Sequence, residues 1–153
     1  MFVKDIMTTM ITTLTPEDSV KKAAYYICLR KISGIPVVNE DDKLVGMLSE
    51  KDILRAIYPS YQEYYDNPLE FRVFSDLSSR YNTTANLKVK DIYTKEVITV
   101  ESETPVLKAL SLMIARRIRR LPVLDIAGNL VGIVSQGDIH QALFNEEFLP
   151  DKN

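Results

Sequence analysis

Two tetrapeptides share the spacing Ser-x-x-Asp: Ser49-Glu50-Lys51-Asp52 and Ser135-Gln136-Gly137-Asp138. Each follows an apolar stretch, Leu44-Val45-Gly46-Met47-Leu48 and Leu130-Val131-Gly132-Ile133-Val134. Where a strand gives way to a helix, this spacing has two readings. One is a capping box, in which the Ser hydroxyl accepts from the amide three residues on and the acidic side chain reaches back to the Ser amide. The other is a ligand site, because a helix N-terminus offers unpaired amides and its positive dipole end to an anion such as phosphate. The Ser hydroxyl adds a donor there, and an ionised Asp can accept from both hydroxyls of a ribose. A second group of residues, Arg116-Arg117-Ile118-Arg119-Arg120, supplies positive charge. Arg116 and Arg117 suit the dipole at a helix C-terminus. Arginine in general suits an anion, since its fork gives paired donors at fixed geometry. Other chemistry is poorly supplied. One histidine, His140, one cysteine, Cys28, and no clustered ligand spacing argue against a metal site. No nucleophile with an adjacent base and no phosphate-binding P-loop is present, so the chain reads as a non-enzyme.

The elements that must position these residues occur twice. A constant shift of 86 carries Val3–Ile57 onto Val89–Leu143 without a gap, with 21 identities in 55 paired positions. These include Thr13/Thr99, Pro36/Pro122, Gly46/Gly132, Ser49/Ser135 and Asp52/Asp138. The chain thus divides into a first repeat at 1–57, a connector at 58–88, a second repeat at 89–145 and a tail at 146–153. Each repeat is too short to bury both faces of its own sheet, so the two are expected to pack on one another.

In each repeat a short extended stretch, Met10–Leu14 or Glu96–Val100, precedes a helix. Thr104 before Pro105 reads as an N-cap followed by proline at the first helical position, and Asp18 is its counterpart. The helices are expected over Ser19 to about Lys31 and Pro105 to about Arg117. Their apolar stripes are Val20, Ala23, Ala24, Ile27 and Cys28, and Val106, Ala109, Leu110, Met113 and Ile114, which makes Cys28 a core residue. Ile35-Pro36-Val37-Val38 and Leu121-Pro122-Val123-Leu124 then form hairpins with the Leu-Val-Gly strands across polar turns. The second helix begins at Ser49 or Ser135, giving β-α-β-β-α. His140, aligned with Leu54, reads as a partly buried packing residue.

This constellation, with Thr13 or Thr99 in the first strand, Ile35-Pro36-Val37 or Leu121-Pro122-Val123, the Leu-Val-Gly strand and the Ser-x-x-Asp helix start, resembles the CBS domain in both copies. The tandem resembles a complete CBS pair, or Bateman module. The resemblance implies an α/β (α+β) fold of two repeats packed about a pseudo-twofold axis, with clefts between repeats that bind adenosine compounds. AMP, ADP or ATP are the implied ligands, S-adenosylmethionine or NAD-type ligands the alternative, and a homodimer is implied as well. On matching positions, ribose falls to Asp52 and Asp138 and phosphate to Ser49 and Ser135. Adenine falls near Thr13, Ile35 and Pro36 in one site and Thr99, Leu121 and Pro122 in the other, and Gly34 permits close approach of the ligand in the first. Proline at 36 and 122 removes an amide and leaves a strand edge that a flat base can approach. Arg119 and Arg120 are expected to face ligand phosphates, whereas Ser33 and Gly34 in the first copy add no charge, so the sites should be unequal. Gly137 both weakens its helix and exposes backbone to an incoming group.

The connector carries Tyr58, Tyr61, Tyr64, Tyr65, Phe71, Phe74 and Tyr81, seven of thirteen aromatics. Tyr58, Tyr61 and Tyr65 fit one helical face after Pro59. It reads either as an extra helix and loop covering an exposed edge or as a ligand-sensitive lid or partner surface. With 153 residues, 46% hydrophobic and a net charge of −2, the chain lacks a basic field for nucleic acid or an anionic membrane. No apolar run is long enough to span a bilayer. A single cysteine and a start without a signal-peptide pattern give the expectation of a cytoplasmic protein. Three functions compete: a stand-alone sensor that signals nucleotide occupancy to an unidentified regulated partner, an enzyme such as a nucleotide hydrolase, and nucleic-acid binding through the arginine cluster, with a structural dimerisation module as the alternative should no ligand bind. The first fits the residues best.

Overall fold

A computed structural model describes residues 1–58, 61–66, 68–69 and 74–149. The chain forms two compact units. One is Thr12–Val97, and the other joins Met1–Ile11 to the chain from Ile98 onward. They are called here the Asp52 unit and the Asp138 unit. Their limits do not follow the sequence repeat. Each unit is built on one repeat but takes the opening segment of the other: Val89, fully buried, belongs to the Asp52 core, and Val3, also fully buried, to the Asp138 core.

In the Asp52 unit, β1 (Gly34–Val38) and β2 (Leu44–Ser49) form an antiparallel hairpin, joined by a turn in which Asp42 adopts φ 58°. Helix α1 (Val20–Arg30) and α2 (Glu50–Ile57) pack on it around Leu14, Val20, Ala23, Ile27, Ile35, Val37, Leu48 and Ile53. All five β1 residues are buried, as expected for a strand covered on both faces. The remaining helices are α3 (Tyr61–Asp66), α4 (Phe74–Ala85) and the single turn α5 (Val89–Ile92). Helix α4 packs on α1 and α2, burying Thr84 and Ala85 and setting Tyr81 against the core. It is α4, and not the tyrosine-bearing α3, that does the covering: Tyr58, Tyr61 and Tyr65 are exposed, with Tyr61 and Tyr65 stacked 6.2 Å apart. Phe71 lies outside the described residues.

The Asp138 unit repeats the plan. A 3-10 turn at Val3–Asp5 leads it. Strand β3 (Val100–Glu101) runs parallel to β4 (Arg120–Leu124), which pairs antiparallel with β5 (Leu130–Ser135). Helices α6 (Val106–Arg116) and α7 (Gln136–Phe148) close a core of Val3, Val106, Ala109, Met113, Leu121, Val123, Val134 and Ile139.

Four local expectations are corrected. The extended stretches before the first helices are far shorter than expected: of Met10–Leu14 only Leu14 pairs, bridging Val37 in parallel, and of Glu96–Val100 only Val100 is in a strand. Proline explains this. Leu14 donates to the Pro36 carbonyl and accepts from Val38, so the next rung upstream would need an N–H on Pro36, which has none. Pro122 stands in the same register before the Val100–Val123 pair. Next, the N-caps are Ser19 and Pro105, one residue later than expected. Ser19 Oγ accepts from the Lys22 amide, while Asp18 instead accepts from the Thr15 amide at 2.8 Å. The first helical amides, Val20 and Val106, are drawn to the Leu87 and Met1 carbonyls, which fixes the boundary there. Third, Cys28 is exposed, and its counterpart Ile114 is 63% exposed. Eight residues along a helix rotate a side chain by about 80° from the start of its stripe, which carries both past the buried face. Lastly, His140 is exposed, because it neighbours the core residue Ile139 and so points a quarter-turn or more away.

Candidate functional site

Both Ser-x-x-Asp segments fold as capping boxes. Ser49 Oγ accepts from the Asp52 amide at 3.2 Å, while Asp52 Oδ2 accepts from the Ser49 amide at 2.9 Å and from the Ser49 hydroxyl at 3.0 Å. Ser135 and Asp138 repeat this at 3.1, 2.7 and 2.7 Å. The local sequence dictates the result, since Ser takes extended backbone at the end of the strand and its side chain stands in for a helical carbonyl. Each serine hydroxyl is thereby both donor and acceptor within its own box.

The helix N-termini are less open than four orphan amides would suggest. The Glu50 and Gln136 amides donate to the Ser33 and Arg119 carbonyls at 2.9 Å, and those of Asp52 and Asp138 are taken by serine. The amides of Lys51 and Gly137 have no such partner among the described residues. A Cβ on Gly137 would meet only Ser135 Oγ, at 3.5 Å, so backbone there is approachable.

The hairpins bring the remaining residues alongside. Gly34 pairs with Ser49, and Arg120 with Ser135. Ile35 and Leu121 direct fully buried side chains into their cores, and Pro36 and Pro122 are buried too, so these four offer a ligand backbone more than side chain. Thr13 is exposed and Thr99 half-buried, each just ahead of the proline-limited ladder. Arg116, Arg117 and Arg119 are exposed, with Arg117 in the left-handed conformation that ends α6. Arg120 differs. It is half-buried, and its Nε is enclosed without a hydrogen-bond partner among the described residues. Burial lowers its affinity for a proton, which Asp138 raises and Arg119 lowers again.

Sequence reasoning missed Thr94 and Thr8. Tyr93-Thr94 crosses β2 at Gly46, where Met47 and Thr94 exchange two backbone hydrogen bonds of 2.9 Å. The crossing is so close that a Cβ on Gly46 would run into the Tyr93 ring and come within 2.6 Å of the Thr94 carbonyl oxygen. Thr94 Oγ1 is thereby held 3.2 Å from Asp52 Oδ1 and donates to it. Met7-Thr8 crosses β5 at Gly132 in the same way, with bonds of 2.8 and 2.9 Å to Ile133. The identity of Thr8 and Thr94 under the 86-residue shift was the available signal.

Among the described residues no group of three or more His, Cys, Asp or Glu side chains could hold a metal ion, and no helix is long and apolar enough to cross a membrane.

Comparison with known proteins places these elements. The chain is 34% identical to an uncharacterized protein of Methanocaldococcus jannaschii, over 94% of this chain and 91% of the other. It spans less than two thirds of the plant and dehydrogenase relatives that it also matches. The structure of CBSX2, a protein of Arabidopsis thaliana, in complex with AMP is similar at a TM-score of 0.73 and 28% identity, covering 95% of this chain and 98% of that one. The CBS domain pair of protein MJ0100, in complex with 5′-methylthioadenosine and S-adenosyl-L-methionine, is similar at a TM-score of 0.72 and 25% identity, covering 96% and 98%. The model of the CBS domain matches twice, at residues 3–59 and 89–145, and the chain belongs to that family as a tandem pair.

Proposed function

We propose that this chain is a regulatory module that binds adenosine nucleotides, AMP, ADP or ATP, at Asp52 and Asp138 and passes occupancy on to a partner. One observation carries the reading most directly: in the Asp138 unit a carboxylate with an uncommitted oxygen lies near a guanidinium whose buried Nε has no partner among the described residues. A ribose would fill the open oxygen of Asp138, and a phosphate beside the half-buried Arg120 guanidinium and the Gly137 amide would place negative charge next to that cation. CBSX2 with AMP supports the ligand class. The serine hydroxyls, closed within their capping boxes, serve such a ligand by holding the carboxylate in place, and they reach phosphate only after leaving the box.

The Asp52 unit favours a second ligand type. Gly34 stands opposite Ser49 where Arg120 stands opposite Ser135, so the guanidinium that Arg120 supplies has no counterpart at that position. A nucleoside without phosphate charge, such as S-adenosylmethionine, suits this site better, and the CBS domain pair of protein MJ0100 is in complex with that ligand. Exposed apolar side chains on α1 (Tyr25, Leu29), α6 (Leu107, Ile114) and α7 (Phe144, Phe148) support a homodimer, which light scattering would read directly.

Calorimetry with AMP, ATP, NAD and S-adenosylmethionine tests the function, on the wild type, Asp52→Ala, Asp138→Ala and Arg120→Gly. Asp138→Ala should abolish the nucleotide site, and Arg120→Gly should narrow the gap between AMP and adenosine. Failure of every ligand in the millimolar range would leave the structural dimerisation module as the better reading.

A further inference from the structure

The two carboxylates are not in the same hydrogen-bonding state. A carboxylate offers about four lone-pair positions, two on each oxygen. In both units Oδ2 is filled by the serine amide and the serine hydroxyl. Asp52 Oδ1 also accepts from Thr94, which leaves one position for a ligand. Asp138 Oδ1 accepts from no described residue, although Thr8 occupies the matching place in the sequence, and so two positions remain. The surroundings differ as well: Arg120 lies close enough for Asp138 to stabilise its charge, whereas Gly34 holds the matching strand position in the Asp52 unit. The bridge to Met47 brings Thr94 within reach of Asp52, and the side-chain rotamer then makes the bond, since Thr8 forms the same backbone bridge to Ile133 without donating to Asp138.

Building on the nucleoside-binding reading above, we infer that the two sites select different sugars. Asp138 accepts both hydroxyls of a ribose and discriminates against deoxyribonucleosides, whereas Asp52, with Thr94 on its outer oxygen, accepts one hydroxyl and tolerates loss of the other. Thr94 is then a specificity-determining residue that acts by occupying an acceptor.

The test titrates wild-type protein with AMP, 2′-deoxy-AMP and 3′-deoxy-AMP, following the amide signals of Gly137 and Lys51 to read the sites separately. At Gly137 each deoxy analogue should bind about tenfold more weakly than AMP, the worth of a hydrogen bond to a charged group. At Lys51 at least one analogue should bind about as well as AMP. Thr94→Val should bring discrimination to the Lys51 signal and leave the Gly137 signal unchanged. Equal discrimination at both sites in the wild type would overturn the inference even if the variant failed to fold. If AMP moves neither signal, the nucleoside reading itself falls and this inference with it.

Discussion

Replacing Gly46 by alanine tests how the opening segment of one repeat is held in the unit built on the other. The new Cβ would lie 2.6 Å from the Thr94 carbonyl oxygen, which cannot move without breaking the crossing, and against the Tyr93 ring, which is packed on the core. Overpacking of this kind costs about 1–3 kcal/mol. Losing the two bonds between Met47 and Thr94 adds about 1 kcal/mol each. Alanine returns roughly 0.5 kcal/mol by restricting the unfolded chain. The net expectation is a loss of about 3 kcal/mol. Gly132→Ala is the internal control, because its Cβ would meet Met7 Sδ at 2.5 Å and the Thr8 carbonyl oxygen only at 3.1 Å. A thioether can rotate away, so this change should cost about 1 kcal/mol. Urea unfolding measures both losses, and hydrogen exchange at the Met47 and Thr94 amides reads the bridge itself. If Gly46→Ala is as stable as the wild type, or Gly132→Ala is destabilised as much, the reasoning from close approach is refuted.

Two further predictions concern the clamps around the sites. Glu17 accepts from Lys88 at 2.7 Å and Lys90 at 2.9 Å, and these bonds lower its carboxyl to about 2. A carboxyl lowered on folding stabilises above its unfolded value and loses that contribution as pH falls toward 2. Carboxyl NMR should therefore place Glu17 near this value, and the Lys88→Met, Lys90→Met double variant should return it to the ordinary glutamate range. Ser135→Ala should cost about 1 kcal/mol in urea unfolding through loss of the capping box, and should also loosen the carboxylate that a ribose would use. A cost near zero would show that the box does not hold the helix start.

Much of the fold was legible because the repeat supplied two versions of every element. The hairpins, the four main helices and the Ser-x-x-Asp starts lie where periodicity and turn chemistry put them. The exchange of opening segments was not legible, since identical Val-Lys-Asp-Ile motifs fit either core equally well in sequence. Cys28 and Ile114 misled because they sit at the rim of a stripe, where a small rotation separates core from solvent. Pro36 was read as a device that frees a strand edge. Its further effect, ending the parallel ladder just after Thr13, needs the register with Leu14 to be known. Of the candidate site, the carboxylates and the guanidinium were readable as residue types. Thr94 was hidden because a bridge distant in sequence delivers it to Asp52.

The central claim is that Asp138 and Arg120 hold the two ends of an adenosine nucleotide. A crystal structure of the protein grown with AMP tests it most directly. The account predicts ribose hydroxyls within hydrogen-bonding distance of Asp138 Oδ1 and the phosphate beside Arg120 and the Gly137 amide. AMP bound away from Asp138, or bound there with its phosphate turned from Arg120, would contradict it.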